Sequence, residues 1–265
     1  MQPFERFISN LGGVSTELTG TPLPVYELKG TYLHYIPLEA AAQFSTDFTH
    51  RLSVQYFDSP VRIIHIWEDV WNTKERIVAS RIRAIAGLGK KIHARTTQVS
   101  RLDKQTSDAF LNTHHLQGTT QAYYKFGLMQ KQQLVAVATF SKARTMYDGP
   151  VYYRSYELER FACTNGYTVT GGLGKLLHAF TDLVNPAHTM TYADADWGKG
   201  EGYQKLGFTP AGFSAPHVFY VHPATCVRHA ESQLLIQATE RELLGKGYIK
   251  VFTAGNVKYI LDRRV

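Results

Sequence analysis

Apolar residues recur along this chain at two spacings, alternate positions and every third or fourth position, and the switches between them mark the predicted elements. Runs at 25–36 and 61–67 read as strands. Between 70 and 86, Trp71, Ile77, Val78, Ile82 and Ile85 fall near helical spacing, with Asp69 or Asn72 as candidate caps and Gly87-Leu88-Gly89 as the stop. From Ile92 the pattern predicts a strand over 92–99, a helix over 107–116, and a hairpin with arms 122–129 and 134–141 around Gln130-Lys131-Gln132-Gln133. A strand over 152–162 precedes an amphipathic helix whose buried face is Leu173, Leu176, Leu177 and Phe180. Beyond Phe208 come two short strands around Pro216, a polar helix near 226–245 and a final hairpin through Thr253-Ala254-Gly255-Asn256. Residues 1–24 show no sustained period and are expected to form a loose arm. Alternation of this kind predicts an α/β (α+β) fold, a central mixed sheet with helices on its faces. The expected divisions are an arm (1–24), a first unit (25–89), a central domain (90–222) and a C-terminal extension (223–265).

Composition narrows the class. With 265 residues, 44% of them hydrophobic, the chain can bury one good core or two small ones. Its two cysteines, Cys163 and Cys226, make neither a disulfide framework nor a metal-spaced cluster, so a reducing, cytoplasmic setting and no metal site are expected. No apolar run is long enough to span a bilayer, so no membrane role is expected. A formal net charge of +7 favours an acidic partner, because Lys and Arg displace counterions from phosphates. Oligomeric state is not legible.

The densest chemistry lies between 171 and 208. Gly171-Gly172-Leu173-Gly174-Lys175 opens the amphipathic helix, Met190-Thr191-Tyr192-Ala193 forms an apolar run, and Gly202-Tyr203-Gln204-Lys205-Leu206-Gly207-Phe208 closes the segment. Glycines just before a helix let a ligand approach the backbone, and the first turn's unpaired amides favour an anion such as a pyrophosphate. The same glycines also suit a plain tight turn, and Lys175 suits either a phosphate or solvent. Neither a P-loop nor a Gly-x-Gly-x-x-Gly fingerprint runs through the segment.

This order of glycine-opened helix, strand and short helix resembles the cofactor half of GNAT acyltransferases. The resemblance implies acetyl-CoA or another acyl-CoA wedged between two splayed parallel strands, its pyrophosphate on the glycine turn. It assigns cofactor contacts to Phe161, Gly171, Gly172, Gly174 and Lys175, and makes Tyr203 the proton donor to the departing thiolate. In one respect the chain departs from these enzymes: three residues before Gly172, where they carry Arg or Gln, stands Val169.

Several segments in order, among them Ile64-His65-Ile66-Trp67-Glu68-Asp69-Val70-Trp71, Lys91-Ile92-His93-Ala94-Arg95, His115-Leu116-Gln117-Gly118 and Tyr156-Glu157-Leu158-Glu159-Arg160-Phe161, resemble a phage family usually called Hef-like or homing-endonuclease-associated. There the N-terminal unit is Vsr-like and uses an Asp and a Glu to hold Mg²⁺. Here His34 and Gln43 stand near those positions, and neutral residues cannot recruit a hard cation, so a nuclease remnant is expected. The central domain is also distantly similar to Mom-type enzymes, which alter an adenine amine in DNA. That similarity selects His115, Asp194 and Tyr203, with His115 or Asp194 accepting a proton and Tyr203 donating one, and implies DNA as partner. Each has a plainer reading: His115 ends a helix, Asp194 caps one, and Tyr203 packs its ring. Glu157 and Arg160 either line a substrate cleft or form a cross-strand ion pair. Tyr123, Tyr124, Tyr152, Tyr153 and Trp197 either stack on a base or pack. Two further readings are a DNA-binding or nicking protein of the homing-endonuclease type, and a non-catalytic GNAT-like interaction module.

Overall fold

The computed structural model describes residues 2–264. In chain order it begins with helix α1 (Pro3–Asn10), strands β1 (Val14–Thr16), β2 (Val25–Leu28) and β3 (Thr31–Ile36), helix α2 (Phe48–Gln55), strand β4 (Arg62–Trp67) and helix α3 (Glu68–Ile85). Strands β5 (Lys90–His93) and β6 (Gln98–Arg101), helix α4 (Lys104–His114), and strands β7 (Tyr124–Gln130), β8 (Gln133–Phe140), β9 (Arg144–Asp148), β10 (Val151–Cys163) and β11 (Tyr167–Thr170) follow. Then come helix α5 (Gly172–Val184), strand β12 (His188–Asp194), the short helix α6 (Glu201–Gln204), and strands β13 (Thr209–Phe213), β14 (Val218–Val221) and β15 (Arg228–Ala230). Helices α7 (Glu231–Leu234) and α8 (Glu240–Gly245) and strands β16 (Ile249–Phe252) and β17 (Asn256–Asp262) complete the chain.

These elements gather into two compact units that are discontinuous in sequence: residues up to Glu75 with 193–200 and 213–257, and residues 76–192 with 201–212 and 258 onward. The end-to-end divisions at 24, 89 and 222 are therefore not those along which the chain divides. The first boundary lies inside α3, next to Lys74, whose φ of −130° and ψ of 24° break the helical geometry.

In the first unit β1-β2-β3-β4 form one sheet, with β2 and β3 antiparallel and β3 and β4 parallel. Lys29 and Gly30, both at positive φ, make the two-residue turn between β2 and β3 that matches the twist of a hairpin. Ile36, Phe48, Leu52, Trp67, Val251 and Phe252 are among the side chains of its core. Residues 1–24 are more than a loose arm: Pro3 starts α1, and Phe4 and Ile8, one turn apart, are buried. Phe4 stacks on Tyr35 at 4.7 Å. An eight-residue helix carries too few repeats for its period to show in sequence.

Two expectations near the C-terminus are corrected. The polar helix near 226–245 is a strand, β15, and two short helices, because only Leu243 of that stretch is buried and packing supports little more. The final hairpin is no hairpin. Its arms belong to different sheets, β16 pairing with β14 and β17 lying between β13 and β12.

The second unit is organised by the eight-stranded sheet of order β13-β17-β12-β10-β8-β7-β6, with β9 added to β10. β7, β8 and β10 are antiparallel neighbours, whereas β10 and β12 are parallel. Helix α4, capped by the Asp103 carboxylate on the Thr106 amide, places Phe110 and Leu111 with Val137 and Ala162. Phe180 of α5 stacks on Phe140 at 4.0 Å. Val137 and Phe140 stand three apart on β8 and so point to opposite faces, which puts α4 and α5 on opposite sides. The result is the expected central mixed sheet flanked by helices.

Candidate active site

The parallel pair at the centre of the sheet is open at one end. β10 and β12 are in register from Ser155↔His188 to Leu158↔Thr191, and the Thr191 hydroxyl donates to the Leu158 carbonyl at 2.9 Å. Past Leu158 the strand runs on to Cys163 paired with β8, without β12. A bulge marks the departure: the β10–β8 register jumps between Leu158 and Arg160, leaving Glu159 as the extra residue. Backbone groups freed where strands part need partners other than the neighbouring strand.

Cys163 leads through Gly166, at φ 85°, into β11, which pairs in parallel with β5, and β11 leads into the glycine turn. Gly171 is the N-cap of α5 at φ 76°, a left-handed conformation that disfavours side chains. The amides of Gly172, Leu173 and Gly174 occupy the first turn, where no carbonyl one turn earlier can accept them. Close packing also demands the glycines: a Cβ at Gly172 would meet Val169 at 3.0 Å, and one at Gly174 would meet Leu206 at 3.0 Å. Val169 is buried, filling with a methyl the space beneath the turn where an Arg or Gln was expected. Lys175 is partly buried, and its ammonium donates to the carbonyls of Ala94 and Thr97 rather than pointing into an open anion site. That clamp, with the register Thr170↔His93, draws residues 93–97 against the turn. Exposed Arg95 thereby stands beside the helix start. Sequence shows Arg95 only as one scattered cation, because the β5–β11 pairing that places it spans some 75 residues.

His115 ends α4, its amide donating to Leu111. Its Nδ1 accepts the Gln117 amide at 3.2 Å, so the neutral ring carries its proton on Nε2. Burial, with Arg81 and Arg160 nearby, pulls its pKa down to about 3. The ring is therefore neutral at pH 7 and presents an N–H. A cavity of about 190 Å³ adjoins it, lined also by Arg81, His114, Phe161, Cys163 and Tyr167. Within it, burial lifts the Cys163 thiol to about 11, leaving it protonated and unreactive.

Glu157 and Arg160 are not a mutual ion pair. Glu157 faces Arg144 at 3.6 Å, while Arg160 donates to the carbonyls of Gly118 and Glu159. Regular alternation already points residues three apart to opposite faces, and the bulge at Glu159 interrupts the strand between them. Burial raises the pKa of Glu157 and lowers that of Arg160, whose guanidinium is favoured in turn by Glu159, Glu157 and the Tyr203 hydroxyl. The second unit thus brings Arg160 within electrostatic reach of both His115 and Tyr203. Tyr203, in α6, has its ring half-buried 5.6 Å from Tyr259 and 5.9 Å from Phe208. Asp194 belongs to the first unit, and its carboxylate caps the turn at 195–197 by accepting the Asp196 amide at 3.0 Å.

No family model matches the chain, and no curated protein matches it. Among solved structures, a histone acetyltransferase HPA2 and related acetyltransferase from Corynebacterium glutamicum is 10% identical over 64% of this chain and 98% of its own, with a TM-score of 0.38. The ribosomal-protein-S18-alanine N-acetyltransferase from Escherichia coli is 16% identical over 64% of this chain and 95% of its own, TM-score 0.36. An N-acetyltransferase from Staphylococcus aureus is 12% identical over 63% and 97%, TM-score 0.35.

Proposed function

We propose that the chain is a GNAT-type acyltransferase of phage origin, which transfers the acyl group of acetyl-CoA or another acyl-CoA to an amine of a nucleobase in DNA. One observation carries the acyltransferase reading: the parallel pair β10/β12 parts after Leu158↔Thr191, and the chain between those strands carries a helix opened by a left-handed glycine. The DNA acceptor rests on the Mom-type resemblance and on the net charge of +7.

The residues present fit such a ligand. The first-turn amides of Gly172, Leu173 and Gly174 bind the pyrophosphate, helped by the helix dipole. Arg95 supplies the cation that Val169 does not. An acyl-CoA bound there supplies an activated carbonyl and a thiolate leaving group. Tyr203 donates a proton to the sulfur, a role open to a phenol at neutral pH given the reference tyrosine pKa near ~10. His115 does not take the amine proton, because its Nδ1 lone pair is engaged by Gln117. It orients the acceptor through Nε2–H, and the resemblance leaves proton acceptance to Asp194. Glu157 and Arg160 line the approach. The segment 25–89 is read as a nuclease remnant. His34 supports this, being fully buried and hydrogen-bonded to Thr21 and His65.

Mass spectrometry of nucleosides from cells expressing the protein tests the proposal. A base heavier by one acyl group is expected, absent in cells expressing Tyr203→Phe. An unchanged nucleoside profile at full expression would overturn the acceptor assignment.

A further inference from the structure

The hairpin of β9 and β10 carries aromatic side chains in an arrangement that folding does not explain. Its register pairs Tyr147 with Tyr152 and Thr145 with Arg154. Directly opposite residues share a face, and so do alternate ones, so Tyr147, Tyr152, Thr145 and Arg154 lie on one side of the hairpin. Tyr147 is 74% exposed and Tyr152 71%. Cross-strand aromatic pairs commonly stabilise hairpins through contact between their rings. That is not the case here: among the described residues, neither ring has a ring or cation partner. The opposite face is occupied internally, with Arg264 over the Tyr153 ring at 3.9 Å and Arg144 facing Glu157.

The exposed face also carries a cation. Arg154 is exposed and, with Arg101, lies close enough to Tyr124 to favour its ionised form against burial. At the foot of the hairpin, Lys142 stands over Tyr123, itself 54% exposed, at 5.1 Å. Two tyrosines beside a cation, without an acid among the four residues of the hairpin face, match a polyanion with flat, unstacked rings. A duplex keeps its bases stacked and offers these rings little.

We propose that the Tyr147–Tyr152 face of the β9–β10 hairpin, with Arg154 beside it, is a stacking platform for single-stranded nucleic acid. Bases lie on the two rings and phosphates on the neighbouring cations. The proposal rests on the nucleobase-acceptor reading for its use, because it supplies a place to hold a strand whose base has left the stack.

The test is fluorescence anisotropy with labelled oligodeoxythymidylate and oligouridylate of about 20 nucleotides, and a DNA duplex of equal length, using the full chain without acyl-CoA. The wild type is expected to bind a single strand more tightly than the duplex, and the better of the two single strands identifies the natural source. Tyr147→Ala/Tyr152→Ala should weaken single-strand binding about 30-fold, while Tyr147→Phe/Tyr152→Phe, which keeps both rings, should bind like the wild type. Arg154→Gln, which leaves the hairpin's aromatic residues in place, should reduce the slope of log K against log salt by about 0.7. Equal affinity of the wild type and the double alanine variant, or a preference for duplex that none of these changes alters, would overturn the platform. Because no acyl-CoA is present, that failure would leave the cofactor site untouched. Loss of acyl-CoA binding with the platform intact would refute the transferase reading alone.

Discussion

At Tyr203 a plain packing role and a chemical role make different demands. The packing role needs only the ring, which meets Tyr259 and Phe208, whereas proton donation needs the hydroxyl. Tyr203→Phe keeps the ring, so we expect its thermal midpoint to match the wild type within error while kcat falls about 10²-fold at pH 7, at the lower end of general acid effects. Steady-state release of free thiol, measured with the protein's own acceptor, reads this, and an unchanged kcat would assign Tyr203 to packing. The glycines and Tyr203 are legible in the sequence because each stands in a local motif. The clamp of Lys175 on Ala94 and Thr97 is not, since its partners lie about 80 residues away. Nor is the acceptor use of His115 Nδ1, which depends on the path of the backbone at Gln117.

Among the elements of the first unit, β3, β4 and α2 are joined by a hydrogen-bond relay. Ser53 donates to the Ala195 carbonyl, so its oxygen accepts from His65 Nε2–H at 3.0 Å. His65 Nδ1 then accepts from His34 Nδ1–H at 2.8 Å, and His34 Nε2 accepts from the Thr21 hydroxyl at 3.0 Å. Only neutral rings satisfy this chain. Burial accordingly lowers the pKa of His34 to about 3 and carries that of His65 well below its ordinary value, with His34 adding to the effect. The unfolded rings take up protons below their ordinary pKa of 6.5, while the folded rings stay neutral. Stability is therefore full above that pH and declines as pH falls toward about 3, by up to ~1.4 kcal/mol per pH unit for each ring. Urea midpoints measured from pH 7 to pH 4.5 should fall, and His34→Gln/His65→Gln should flatten that fall. A wild-type midpoint that holds or rises on acidification would contradict the relay. Strands β3 and β4 were legible as apolar runs, but nothing in a single sequence pairs two histidines 31 residues apart. The bulge at Glu159 was hidden for a related reason: regular alternation reads straight through an inserted residue.

For the whole molecule, sequence order and spatial order differ. The alternation of elements predicts the mixed sheet with helices on both faces, and the structure has it. Contiguous domains do not follow from that pattern, because α3, β12 and β17 each run across a boundary between the two compact units. None of the helices is long and apolar enough to cross a membrane, among the described residues. Titration calorimetry of the full chain with acetyl-CoA shows whether an acyl-CoA sits on the glycine turn. Gly174→Asp is the informative variant. Its Cβ meets only the end of the Leu206 side chain, which can give, while its carboxylate occupies the first turn where the pyrophosphate would bind. We expect saturable one-to-one binding by the wild type and a Kd raised about 100-fold or more in the variant, about 2.7 kcal/mol. Absence of binding by the wild type, or equal binding by a folded Gly174→Asp protein, would contradict acyl-CoA binding at the turn.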